Sequence, residues 1–168
     1  AAIHLRRKNA IRILIKEGAD LSLRNDRQET PRDLAERYGY NRLAAYLGGI
    51  ERETERLILA VDKDDLLAVN ASLLRGASIG TRDSRRDTPL HLAAQSNLPE
   101  VSALLLQSGA KVDARNYLGE TPLHQAAMRD FSATMKVLLE HGANPSALNY
   151  RRETPFDFAL AHFTPEVM

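Results

Sequence analysis

Five histidines and 22 carboxylates carry most of the chemical capacity of this chain. Histidine ligates a metal or moves a proton only beside a second ligand or an orienting carboxylate. His4, His141 and His162 have no Asp, Glu or His at ligand spacing, so they read as solvated or packing residues. His91 and His124 differ, because each closes a Thr-Pro-Leu-His stretch. The run Asp62-Lys63-Asp64-Asp65 reads as a solvated turn between two short helices. A phosphate-binding loop needs glycines followed by Lys-Ser or Lys-Thr. "YLGGIE" offers two glycines, but charges follow them. Asn70-Ala71-Ser72 fits a glycosylation sequon, yet it lies in a helical pattern without a secretion signal and reads as chance. Cysteine is absent, which excludes disulfides and thiolate metal sites. These residues argue against an enzyme and against a bound metal or cofactor.

Basic clusters raise a different chemistry. Arg6–Lys8, Arg82–Arg86 and Tyr150–Arg152 could form an anion-binding stripe for nucleic acid or acidic lipid. Acids interleave with them, at Asp83, Asp87, Asp113, Glu120 and Glu153, and the net charge is only +1. Ordinary surface charge is therefore the better reading. Hydrophobic residues make up 43% of the 168 and charged residues 27%, the balance of one globular domain. Aromatics are 5% and Trp is absent, so a core must come from Leu, Ala, Ile and Val, which suits thin layers of helices. No run approaches the roughly 18 apolar residues of a membrane span. The start, "AAIHLRRKNAIRILI", lacks the order of a signal peptide. A cytoplasmic protein is expected.

The elements that must position these residues recur. Thr-Pro stands at 88–89, 121–122 and 154–155, a step of 33 each time (121 − 88 and 154 − 121). Gly-Ala stands at 76–77, 109–110 and 142–143 with the same step. Two independent markers with one period mean stacked supersecondary units. Within one unit, Thr88 is a good N-cap and Pro89 a good first helical residue, since its missing N–H would be unpaired there. "PLHLAAQS" is a short inner helix, whose Ala93 and Ala94 let a neighbour approach closely. Asn97, Leu98 and Pro99 turn the chain. "EVSALLLQS" is a second helix, apolar at Val101, Leu104 and Leu105, and Gly109 stops it. "AKVDARNYLGE" is an extended finger with a turn near "NYLG". Helices this short are not stable alone in water and must bury their apolar faces on the next unit.

"LGETPLHQAA" and "RRDTPLHLAAQSNLPEVSALLLQSGAKVDARN" resemble the ankyrin repeat, which reads roughly D-x-x-G-x-T-P-L-H-x-A-A, then L-L, then G-A-D-V-N. The 34-residue tetratricopeptide repeat lacks this Thr-Pro and finger pattern. The resemblance implies an all-α solenoid of stacked helix-loop-helix units with β-hairpin fingers projecting at about a right angle. It also implies a structural hydrogen bond from His91 and His124 to the Thr region of their own units. The register extends both ways, to about six units, two of them partial. "ERLILAVDKDDLLAVNASLLRGAS" aligns with one unit but has Glu55-Arg56 in place of Thr-Pro. "NDRQETPRDLAERYGYNRLAAYL" has Thr30-Pro31, with Asp33 in place of His. "AAIHLRRKNAIRILIKEGADLSLRN" begins inside an inner helix, and "ETPFDFALAHFTPEVM" stops as a second helix begins, at Glu166-Val167. Chain ends inside repeats suggest part of a longer chain.

One spacing departs from the rule. Thr30 to Glu55 is 25 residues (55 − 30), eight short, and no Gly-Ala finger lies between Leu47 and Glu55. Either a continuous stack has lost one finger, or residues 1–50 and 51–168 are two arrays joined near 48–54. Both readings predict a short turn between two helices over Gly48–Thr54, with no finger.

Function follows from the resemblance. It implies a non-catalytic module that binds another protein, of unknown identity, through the concave face of fingers and inner helices. The alternatives are a spacer in a longer array, or anion binding by the basic tips. No small-molecule substrate is implied. The family's variable contact positions fall here on Ser84, Arg85, Asp87, Gln95 and Ser96 in one unit, and on Tyr117, Leu118, Glu120, Met128 and Arg129 in the next. Tyr150, Arg151 and Glu153 follow. Tyr117, Leu118, Met128 and Tyr150 are large side chains where exposure is expected, and Tyr is enriched at binding hot spots. At the finger turn, Gly119 matches the family's Gly, while Gln28, Arg86 and Arg152 take the aligned positions. A turn that needs positive φ there strains those three.

Overall fold

The structure, a computed structural model, describes residues 10–11, 13–15, 19–21 and 23–161. His4, His162, Arg6–Lys8 and the partial second helix at Glu166-Val167 lie outside the described residues, as does most of the first inner helix. Eight helices have defined bounds among the described residues. They are α1 (Pro31–Arg37), α2 (Asn41–Asp62), α3 (Leu66–Leu74), α4 (Pro89–Gln95), α5 (Pro99–Gln107), α6 (Pro122–Met128), α7 (Ser132–Glu140) and α8 (Pro155–Ala161).

The caps explain the bounds. Thr30, Thr88 and Thr121 are extended, and each hands over to a proline in the first turn. The outer helices α3, α5 and α7 end on Gly76, Gly109 and Gly142 at φ of 91°, 97° and 85°. The following alanine then closes each end, as in the 3.0 Å bond from Ala110 N–H to Leu105 O. Inner helices end the same way on residues with side chains, Asp64, Asn97 and Asp130, all at φ 54°.

Repeats stack through two layers. The C-terminal half of α2, then α4, α6 and α8, pack in sequence as the inner layer, and α3, α5 and α7 lie outside them. The main core runs from Leu57 and Val61 through Val69, Leu90, Val101 and Leu105 to Leu123 and Leu138. His91, His124, Thr121 and Thr134 are fully buried within it. A second core of Ala35, Ala44 and Leu47, with Ile15, Leu21 and Leu43 against it, lies toward the N-terminal side.

The expected finger is absent over Gly48–Thr54, but the expected short turn is absent too. α2 passes straight through as one 22-residue helix, about 33 Å long. It fuses the outer helix of one unit with the inner helix of the next, and so carries both cores. Two glycines in mid-helix cost about 1 kcal/mol each relative to Ala. At Gly48 the side chain of Arg32 uses the space: a Cβ there would lie 3.3 Å from its guanidinium. Arg32 then pairs with Glu51 one turn on, at 3.3 Å, and clamps α1 to α2.

Candidate functional site

The fingers are the part of each unit with side chains to spare. Each is a short hairpin held by turns, and no strand is present among the described residues. Asn25, Asp83, Asn116 and Asn149 occupy one equivalent position. Each side-chain Oδ1 accepts the N–H groups two and four residues on, at 2.8–3.0 Å. The main chain repeats one pattern, as in Asn116 N–H to Glu120 O and Gly119 N–H to Asn116 O. This is a type I turn followed by a left-handed residue. The left-handed position falls on Gln28, Arg86, Gly119 and Arg152, at φ of 62°, 60°, 77° and 63°. Three of four fingers therefore place a residue with a Cβ where Gly is favoured, and the positive φ that would strain them is present.

Neighbouring fingers are laced by one main-chain bond and one arginine bond at each step. Tyr117 N–H donates to Arg85 O at 3.1 Å, and Tyr150 N–H to Leu118 O at 3.0 Å. Arg82 Nη1 donates both to Arg86 O of its own finger and to Arg115 O of the next, at 2.9 and 2.7 Å. Arg115 repeats this toward Gly119 O and Leu148 O, at 3.5 and 2.7 Å. Sequence reasoning treated Arg82 as a member of a basic cluster. Its 33-residue repetition at Arg115 was the signal of a structural role.

Beneath the tips lies a buried polar network. Asn116 Nδ2 donates to Asp87 Oδ1 at 3.0 Å and to Glu120 Oε2 at 3.2 Å. Gln95 Nε2 reaches Asp87 Oδ2 at 3.1 Å, and Gln125 Nε2 reaches Glu120 Oε2. Asp87 is 1% exposed and Glu120 8%. Both were expected as contact residues, but their oxygens are held inside the stack. Ser84, Arg85, Ser96, Tyr117, Arg129, Tyr150 and Arg151 are exposed; Gln95, Leu118, Met128 and Glu153 are half-buried. Tyr117 is 52% exposed and Tyr150 69%. No ion pair or hydrogen bond among the described residues engages the side chains of Arg86, Arg151 or Arg152.

The two Thr-Pro-Leu-His histidines bond in two directions. Thr88 N–H donates to His91 Nδ1 at 3.1 Å, so Nδ1 carries no proton. The proton sits on Nε2 and is donated to Glu120 O of the next unit, at 3.0 Å. His124 does the same between Thr121 N–H and Glu153 O, both at 3.1 Å. Each ring thus ties a helix start to the following finger. Burial holds both pKa values below the ordinary 6.5, against an opposing pull from the backbone carbonyl each ring bonds. Protonation would oppose a donor to a donor at Nδ1. As pH falls below 6.5, the unfolded chain takes up these protons first. The stability they hold is therefore complete above 6.5 and lost progressively below it. A fall in Tm between pH 7 and pH 5.5 is the expected result, with each ring contributing up to about 1.4 kcal/mol per pH unit. A flat profile over that range would mean that the rings are not held neutral.

Among the described residues, no three His, Cys, Asp or Glu are arranged to hold a metal, and no helix is long and apolar enough to cross a membrane. Residues 57–149 match a family model described as ankyrin repeats, in three copies. Comparison with curated proteins gives no match.

Proposed function

The chain belongs to the ankyrin-repeat family, and on that premise we propose that it is a non-catalytic module binding another protein across its finger tips and the adjacent inner-helix ends. The observation that carries this reading is the exposure of Tyr117 and Tyr150 at successive tips, beside arginines with no partner of their own. A tyrosine ring adds large contact area at low entropic cost, and a neighbouring guanidinium adds directional donors. Ser96 and Arg129 extend the surface along the ends of α4 and α6. Arg86, Arg151 and Arg152 favour a partner surface that is acidic around an apolar centre. Asp87 and Glu120 act from below, by fixing the turns that present these groups.

The test compares the proteins retained by the intact chain with those retained by Tyr117→Ala. Tyr117 is the cleaner position, because the Tyr150 ring also packs on Gly119. The substitution should weaken a verified protein ligand by more than about 1 kcal/mol while circular dichroism shows unchanged helicity. Unaltered affinity for such a ligand removes the finger-centred reading and leaves the array as a spacer.

A further inference from the structure

The finger row is interrupted once. Arg24 and Arg82 hold the same place in successive fingers yet lie 58 residues apart (82 − 24), against 33 for Arg82 and Arg115 (115 − 82). One finger is missing between them, and α2 runs through the place where it would be anchored. The two flanking fingers meet at their bases, where Ser78 Oγ donates to Ala19 O at 3.1 Å. Beside that contact a cleft of about 350 Å³ opens, with Arg24, Arg32, Glu51, Glu55 and Thr81 in its walls.

The bonds that close every other step lack their partners here. Arg24 Nη1 donates to Gln28 O at 2.6 Å, as its counterparts do within their own fingers. The carbonyl of a following finger, which Arg82 and Arg115 each hold at 2.7 Å, has no equivalent at Arg24 among the described residues. Ser84 N–H corresponds to the donors Tyr117 and Tyr150, and Arg27 C=O to the acceptors Arg85 and Leu118. Among the described residues both are unbonded. The charges are nearly spent within the walls. Arg24 lies 3.8 Å from Asp33, and Arg32 is held by Glu36 and Glu51 at 3.1 and 3.3 Å. Glu55 is exposed and has no partner among the described residues, so the free charge there is negative.

We propose that this cleft is a second binding site, filled by an extended segment of a partner protein that supplies the absent rung. Its main chain offers a carbonyl to Arg24, and a Lys or Arg side chain meets Glu55. Such recognition adds one more extended strand to an existing row, with main-chain bonds giving affinity and a side-chain pair giving selectivity. An anion alone fits poorly, because both arginines are already neutralised and the unpaired group is a carboxylate. The site shares only the Ser84 main chain with the finger-tip surface and does not depend on Tyr117 or Tyr150.

The probe is a synthetic peptide, GAKVDARNYLGE, which copies residues 109–120 and presents an isolated finger with both carbonyls and cations. Titrated into the full chain and followed by amide NMR, it should give saturable shifts at Thr54, Ser78, Thr81 and Ser84 by about 1 mM. Glu55→Lys, at an exposed and unpaired position, should weaken binding by about fivefold or more, as should Arg24→Ala. Tyr117→Ala in the chain should leave the titration unchanged, which separates this site from the tip surface. Three outcomes would overturn the proposal. One is the absence of saturable shifts in the cleft. Another is an affinity in both cleft variants that is unchanged from the intact chain. The third is displacement of the peptide by equimolar inorganic phosphate, which would make the cleft an anion site.

Discussion

Replacing His91 with Asp should lower the unfolding free energy by about 2–4 kcal/mol, while Asp33→His, at the equivalent place two units earlier, should leave it close to unchanged. An Asp reproduces only half of what the imidazole does. Its oxygen can accept the helix-start N–H, as Asp33 does from Thr30 at 2.9 Å and Asp157 from Thr154 at 2.7 Å. It has no second nitrogen to donate across the unit boundary, so Glu120 O would lose its 3.0 Å partner inside the stack. A buried carbonyl left unmatched costs about 1–3 kcal/mol. A carboxylate would also stand where His91 is 0% exposed, beside the buried Asp87. Asp33 sits in the unit whose following finger is missing. Among the described residues Asp33 makes no hydrogen bond to the next unit, and its pKa is lowered mainly by the Thr30 backbone bond. Chemical denaturation of the two variants decides the matter. Equal losses would mean that the cross-unit bond contributes nothing and that the pattern at 33, 91, 124 and 157 has another cause.

That pattern also shows how far the sequence could be read. Thr88-Pro89 and Gly109 mark helix ends by local backbone chemistry, so α4, α5 and their counterparts could be placed from the residues alone. The 25-residue step located the missing finger for the same reason, since the loss removes its own turn residues. The continuity of α2 was not legible. Gly48-Gly49 is a breaker pair by local rule, and it is overridden by two cores that pull on opposite ends of one helix, with Arg32 lying across Gly48. Asp87 and Glu120 misled for a related reason. A carboxylate in a finger looks like surface charge until the Asn116 amide that bridges two units is in place. Contacts 29 residues apart leave no local trace.

Gly119→Ala should destabilise the chain by about 1.5–3 kcal/mol, whereas Arg86→Gly and Arg152→Gly should leave stability unchanged or raise it by up to about 1 kcal/mol. All three positions hold the same left-handed turn, at φ 77°, 60° and 63°. At the two arginines, glycine relieves about 1–2 kcal/mol of Cβ strain and returns part of it as added freedom in the unfolded chain. Gly119 carries a second constraint. A Cβ there would stand 2.7 Å from Tyr150 Cδ1 and 2.9 Å from two further ring carbons, too close for any side chain to persist. The ring is 69% exposed and can swing away, which caps the cost at the packing it loses. The two parts separate in a double-mutant cycle. In the Tyr150→Ala background, Gly119→Ala should cost only the turn strain, about 1 kcal/mol, and the remainder should appear as coupling between the two sites. Strict additivity would show that Tyr150 does not lie on Gly119 in solution. A loss below about 0.5 kcal/mol for Gly119→Ala alone would show that the turn tolerates a Cβ, and the expected gain at Arg86 and Arg152 would then disappear with it.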